Sequence, residues 1–266
     1  MFNQILFSFI FVWLYMTLVY FIAIKKDDLS IIDIAYGPGF VVAGFAQMIF
    51  SKGVQLHFLI IFSLILIWAI RLALQIGIRK IGIGEDYRYS KMRKDFGKKW
   101  KTVSYFKIFL FQGLLILIIE LPLFISSLEY QKEMGILALF GVLLWIWGFF
   151  WETLGDTQKY QFKKAGKKGF IQTGLWKYTR HPNYYGEITM WWALFLIALE
   201  IPFGWLAIIS PILITTLLIT FSGIPLLEKK YDNDSEFQKY KKKTSALFPW
   251  FQKKEIENEF NIRHQS

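Results

Sequence analysis

Ile5-Leu-Phe-Ser-Phe-Ile-Phe-Val-Trp-Leu-Tyr-Met-Thr-Leu-Val-Tyr-Phe-Ile-Ala-Ile24 carries no charge and stops at Lys25-Lys26-Asp27-Asp28. About twenty apolar residues, rising ~1.5 Å each as a helix, span the ~30 Å hydrocarbon core of a bilayer. The run lacks a basic leader and is long enough to cross, so it reads as a retained helix and not a cleaved signal. Working outward, the same signal recurs at Ile31–Phe50, Val54–Ile78, Phe106–Ser127, Gly135–Trp151, Ile188–Glu200 and Gly204–Phe221. Of these, Phe106–Ser127 is interrupted by Glu120 and Pro122, and Ile188–Glu200 is short enough to insert only in part. Composition agrees: 55% of the 266 residues are hydrophobic and 19% aromatic. The expected fold class is all-α, a polytopic membrane protein of about seven transmembrane helices.

Lys and Arg collect after the first, third, fifth and seventh spans and are sparse elsewhere. Cationic loops stay in the cytoplasm, so the N-terminus is expected outside and the C-terminus inside. A formal charge of +11 would suit nucleic acid. Here the lysines lie in loops between apolar spans, which fits a membrane face and excludes that reading. Cysteine is absent, which removes disulfides and thiolate metal sites. His57, His181 and His264 are too widely spread to suggest an imidazole-built metal centre. Residues 1–250 read as a single membrane-embedded domain, and 251–266 as a polar tail with too little apolar surface to pack.

Three stretches carry chemistry. Gly174-Leu-Trp-Lys-Tyr-Thr-Arg-His-Pro-Asn-Tyr-Tyr-Gly-Glu187 sets cations and hydrogen-bonding groups just before an apolar run. Pro182 suits the first turn of a helix, where its missing N–H costs nothing. First-turn amides beside Lys177 and Arg180 make an anion site, with phosphate the usual anion. Asn183 and Glu187, four apart, share a face. Upstream, Glu152–Lys168 leaves the membrane; continued as helix, it aligns Asp156, Lys159, Tyr160 and Lys163 on one stripe. Near the N-terminus, Asp33-Ile-Ala-Tyr36-Gly-Pro-Gly39 puts an acid and a phenol at the mouth of the second span, and Trp68, Arg71 and Gln75 line one face of the third. The connector Gly82-Ile-Gly84-Glu-Asp-Tyr-Arg-Tyr89 has no preceding strand and is no dinucleotide fingerprint. Ser90–Lys101, with Met92, Phe96 and Trp100 at four-residue spacing, suits a separate amphipathic helix in the interface.

Asp156-Thr-Gln-Lys, the Thr173–Ile188 stretch, Gly223-Ile-Pro-Leu-Leu-Glu-Lys-Lys-Tyr231 and Tyr240-Lys-Lys-Lys-Thr-Ser-Ala-Leu-Phe-Pro-Trp250 together resemble the steroid 5-alpha-reductase C-terminal domain. With Asp33–Phe40 and Gly84–Tyr89 added, the chain is most similar to the bacterial DUF1295 branch of that superfamily. The resemblance implies a seven-helix enzyme of the bacterial inner membrane that holds NADPH in a cytoplasm-facing cavity. It would reduce a carbon–carbon double bond conjugated to a carbonyl in a hydrophobic, steroid-like or isoprenoid substrate. Carried over by position, Asp156 and Lys163 would meet the cofactor's ribose and phosphates. Arg180, Asn183, Tyr184 and Glu187 would line its pocket, and Glu228 and Tyr231 would close it. Arg71, Lys159, Tyr178 and His181 complete the implied cofactor set. Asp33 is the counterpart of a family glutamate that polarises the substrate carbonyl; Trp68 stands where the family's tyrosine is expected, and Gln75 and Lys80 replace a His and an Asn.

Hydride addition to an enone builds negative charge on the carbonyl oxygen, which needs a donor in a dry pocket. Asp33 in its acid form, or Tyr36 one turn later, is expected to donate there. Isoprenylcysteine and phospholipid methyltransferases carry a similar Arg-His-Pro element, so S-adenosylmethionine is the alternative ligand. That ligand is cationic at sulfur and has no phosphate, whereas the Asp156–Lys164 stripe is rich in cations. Such methyltransferases also tend to show a Glu-Glu pair where this chain has Glu228-Lys229.

Overall fold

The computed structural model describes residues 2–51, 53, 55–128 and 133–252. Among them the regular elements are helices, with one isolated bridge between Thr179 and Ser245. In order they are α1 (Phe2–Lys26), α2 (Ile31–Phe50), α3 (Leu56–Lys80), α4 (Tyr87–Ile119), a short α5 (Leu121–Ser126), α6 (Ile136–Lys164), α7 (Pro182–Ala198), α8 (Gly204–Tyr231) and α9 (Ser235–Lys243). Six of these, α1–α4, α6 and α8, are long and apolar enough to cross a membrane. The short expected span lies within α7, which has 17 residues and so reaches only about 25 Å at 1.5 Å each. Met190, Trp191, Ala193, Leu194, Phe195, Ile197 and Ala198 are all buried in protein. A helix apolar on every face belongs in such an interior.

Two stretches refine the sequence reading. Within α4 the Tyr87–Phe96 part is a helix of its own, capped by Asp86 and ended by Gly97 at φ 55°; a 3-10 turn at Gly97–Lys99 and a π turn at Tyr105–Leu110 then lead into the apolar part. Past Trp151 the chain does continue as helix, to Lys164, which is the condition for the Asp156–Lys163 stripe. Helical propensity and backbone hydrogen bonds carry it past the end of the apolar stretch. The interruption at Glu120 and Pro122 is present: α4 ends at Ile119, and Pro122 lies in the first turn of α5. The tail beyond Gln252 lies outside the described residues.

The chain separates into two compact units, residues 1–145 with 191–214, and residues 146–190 with 215–266. In the first unit α1 shows why a membrane helix needs fit more than hydrophobicity. Ser8, Val12, Met16, Val19 and Ala23 face inward, whereas Phe9, Trp13, Leu14, Leu18 and Phe21 are exposed. Lipid tails are as apolar as these side chains, so association comes from close packing. Gly39 lies under Met16 and Ile116, where a β-carbon would come within 2.5 Å of Ile116. An aromatic cluster of Phe40, Trp68 and Trp191, with ring centroids 5.2–5.5 Å apart, ties α2, α3 and α7 together.

In the second unit α6 and α7 cross through glycine. A β-carbon on Gly186 would stand 2.4 Å from the Glu152 amide nitrogen and the Gly148 carbonyl. One turn along, Gly155 abuts the Asn183 nitrogen. Small residues let the backbones approach this closely, which sets the polar stripe of α6 beside the first turn of α7. Further on, α8 breaks at Ser222–Gly223, and any β-carbon at 223 would lie 2.2 Å from the Leu218 carbonyl. The helix resumes at Ile224 and delivers Glu228 into the interior.

Candidate functional site

In the first unit the polar residues meet where α2 begins. Asp28 accepts from the Ser30 amide and hydroxyl and pairs with Lys80 at 2.7 Å. Burial raises the Asp28 pKa, but the Lys80 and Ser30 hydrogen bonds outweigh it and hold the carboxyl below its usual range. Glu85 accepts from the Leu29 amide at 2.8 Å and pairs with Arg93, which also reaches Asp27. Asp86 caps α4 by accepting from the Arg88 amide at 2.9 Å. These contacts anchor the Gly84–Tyr89 connector over the mouth of α2. The Tyr89 hydroxyl thereby donates to Asp33 Oδ1 at 2.6 Å, and Arg88 pairs with Asp33 Oδ2 at 3.2 Å.

Asp33 is thus held between a phenol and a guanidinium. Tyr36, one turn on, is half-buried and packs edge-on against Phe40. Trp68, Arg71 and Gln75 do share a face of α3, and the Trp68 indole nitrogen and Gln75 Oε1 are buried without a hydrogen-bond partner. The sequence reading assigned no role to Arg88 or Tyr89, although it contained their stretch. The available signal was a run of charge and phenol after a span, close behind an acid at the mouth of the one before.

In the second unit the centre is Arg180, 8% exposed. It donates from Nε to Glu228 Oε1 at 2.8 Å and from Nη1 to the carbonyls of Lys241 and Thr244. Glu228 also receives His181 Nε2 at 3.0 Å and Lys241 Nζ at 3.1 Å. One carboxylate therefore gathers groups from the α7 entry, α8 and α9. Burial lowers the His181 pKa, and Glu228, pulling the other way, does not fully restore it. The ring is stacked parallel on Tyr184. Alongside, the Arg180 amide donates to the Ser245 carbonyl and the Trp250 amide to the Tyr178 carbonyl, both at 2.9 Å. The segment after α9 is thereby strapped along the Tyr178–Arg180 backbone.

Pro182 opens α7 as its ring geometry requires. Asp156 is buried, Lys159 lies over the Trp176 ring at 5.4 Å, Lys163 is exposed, and Asn183, Tyr184 and Glu187 are half-buried. Tyr178 is exposed at the strap. Tyr231 donates to the Gly169 carbonyl at 3.0 Å and packs with Phe170 and Phe237, which pins the loop ahead of the Arg-His-Pro stretch. Arg71 belongs to the first unit and these other residues to the second. Around the α6–α7 crossing, Trp151 Nε1, Thr153 Oγ1, His181 Nδ1 and Asn183 Oδ1 are buried with no hydrogen-bond partner. Orphaned donors and acceptors are costly, so several in one neighbourhood imply a polar ligand or water.

Apolar helices of crossing length, an arginine–carboxylate hub and a phenol–acid pair define a helical membrane protein compatible with a lipid bilayer. The profile of DUF1295, a protein family of unknown function, matches residues 19–244, and the chain belongs to that family. It is 25% identical over 198 residues to an uncharacterized protein of Schizosaccharomyces pombe, covering 62% of this chain and 55% of the relative. The chain thus spans about half the length of that curated relative. No solved structure matches.

Proposed function

We propose that this DUF1295 protein is a membrane-bound, NADPH-dependent reductase of a carbon–carbon double bond conjugated to a carbonyl, acting on a hydrophobic substrate in the manner of the steroid 5-alpha-reductase superfamily. The observation that carries the reading is the set of orphaned buried polar atoms at the α6–α7 crossing, Trp151 Nε1, Thr153 Oγ1, His181 Nδ1 and Asn183 Oδ1. These fit a ligand rich in hydroxyl, amide and phosphate groups. Lys159 and Lys163 suit its anionic part, and Asp156 suits a ribose hydroxyl. Arg180, committed to Glu228, shapes the pocket wall by fixing the entry to α7.

Bound NADPH would supply the hydride. Tyr89, which donates to Asp33 at 2.6 Å, would give its phenolic proton to the substrate oxygen and become a phenolate, and Arg88, paired with Asp33, offsets the negative charge gathered there. Tyr36 is the second phenol within one helical turn. In the same reading α7 completes a seven-helix arrangement, and the basic ends of α1, α3 and α6 face the cytoplasm of a bacterial inner membrane.

The test is thermal protection of the purified protein. NADPH should raise the unfolding temperature and S-adenosylmethionine should not. Protection by S-adenosylmethionine alone would move the protein to the methyltransferase class, and protection by neither would remove both readings.

A further inference from the structure

The interruption between α4 and α5 lies in the first unit, and its polar groups take no part in the proposed reaction. Glu120 at the break is 2% exposed and Gln47 on α2 is fully buried. Gln47 Nε2 donates to Glu120 Oε1 at 3.0 Å. Glu120 Oε2 and Gln47 Oε1 are both buried with no partner, as is the hydroxyl of Ser8 on α1. Helix register brings these three groups to one level. Phe7 stacks on Phe50 and Met16 packs over Gly39, so antiparallel α1 sets Ser8 opposite Gln47. Met16 also packs on Gly113 and Gln4 donates to the Ser127 carbonyl, which sets Ser8 opposite the Ile119–Glu120 corner.

Among the described residues no cation pairs with Glu120, which accepts from the amide of Gln47. A carboxylate inside a membrane span with no counter-charge marks a functional site by default. The backbone adds to the negative potential. α4 ends here, presenting the negative end of its dipole. The carbonyls of Ile118 and Ile119 at the break are met by the cap amide and the Ser210 hydroxyl, so the free acceptors are side-chain oxygens. Helix breaks at membrane depth are tolerated where protein or a cavity covers them. A water would satisfy the orphaned acceptors, but a carboxylate there is neutralised only by a cation or a proton.

The geometry points to a binding site for one sodium ion, held by the hydroxyl of Ser8, the amide oxygen of Gln47 and the carboxylate of Glu120. Hydroxyl, amide and carboxylate oxygens are hard ligands suited to such an ion. By joining α1, α2 and the α4–α5 corner, the ion would stabilise the packing of the first unit.

The experiment is thermal unfolding of the full-length protein at constant ionic strength in sodium, potassium or choline chloride. A saturable, sodium-specific rise in midpoint is expected for the wild type, its loss in Glu120→Gln, and a shift to about tenfold higher sodium in Ser8→Ala, the cost of one lost ligand contact. Equal midpoints in all three salts, or a sodium effect undiminished in Glu120→Gln, would overturn the proposal. Should Glu120→Gln not fold, Ser8→Ala decides: an unshifted sodium response rejects the site. NADPH takes no part in these measurements, so the reductase reading stands or falls apart from them.

Discussion

Asp33 and Glu228 are both carboxylates paired with an arginine, but they are built for opposite purposes. At the α2 mouth the Asp33 and Arg88 side chains are 28% and 47% exposed; at the α8 break Glu228 and Arg180 are 7% and 8% exposed. An accessible pair can exchange partners with a substrate at little cost, since its charges remain close to a polar medium. A buried carboxylate gathering three cationic or imidazole groups cannot, because removing any member strands the others. The difference separates a place where protons can move from a place that holds a backbone in shape.

The sharpest way to break that contrast is turnover. Tyr89→Phe should slow enone reduction by about 10²- to 10⁴-fold, the range for a lost general acid, while NADPH protection persists. Full turnover in this variant would transfer the donor role to Tyr36, which Tyr36→Phe would confirm. Next, Glu228→Gln should destabilise by about 3–5 kcal/mol, as expected for a buried charge left unpaired. Asp33→Asn should cost about 1 kcal/mol or less. Thermal or denaturant unfolding of the two variants side by side checks this, and equal losses would erase the distinction.

A smaller effect belongs to the cap of α4. Asp86→Ala removes the acceptor for the Arg88 amide and should cost about 0.5–2 kcal/mol, with weaker turnover because Tyr89 loses its anchor. Acidity then separates the two centres. His181 has a folded pKa below its unfolded value, so its contribution is complete above ~6.5 and is lost as pH falls through the folded value. Asp28 is also depressed, so its contribution is complete above ~3.9 and disappears only in stronger acid. Midpoints measured from pH 8 downward should therefore decline first through His181. His181→Gln should flatten that first decline and leave the acid limb unchanged.

The helices and their membrane character were legible in the chain because apolar runs of crossing length leave few alternatives. Pro182 marked the start of α7, and Glu120 with Pro122 marked the break before α5. Less could be read about what each polar residue touches. Tyr89 lies fifty-odd positions from Asp33 along the chain, and nothing in spacing says that the connector folds back over α2. Arg180 read as an anion ligand from its place beside a helix start. Its partner Glu228 comes from another helix, delivered by the break at Gly223. Gln47 and Ser8 carried no signal at all, since single polar residues in apolar helices have no period.

By itself the sequence determined the membrane as solvent, the helices and where proline or glycine interrupts them. Those follow from local rules: the apolar length a bilayer demands and the backbone freedom a residue type allows. Only tertiary structure decided which carboxylate met which cation, that α7 is enclosed by protein, and which buried atoms were left unsatisfied. Such pairings depend on helix register and crossing points, and register is set by packing between residues far apart in the chain.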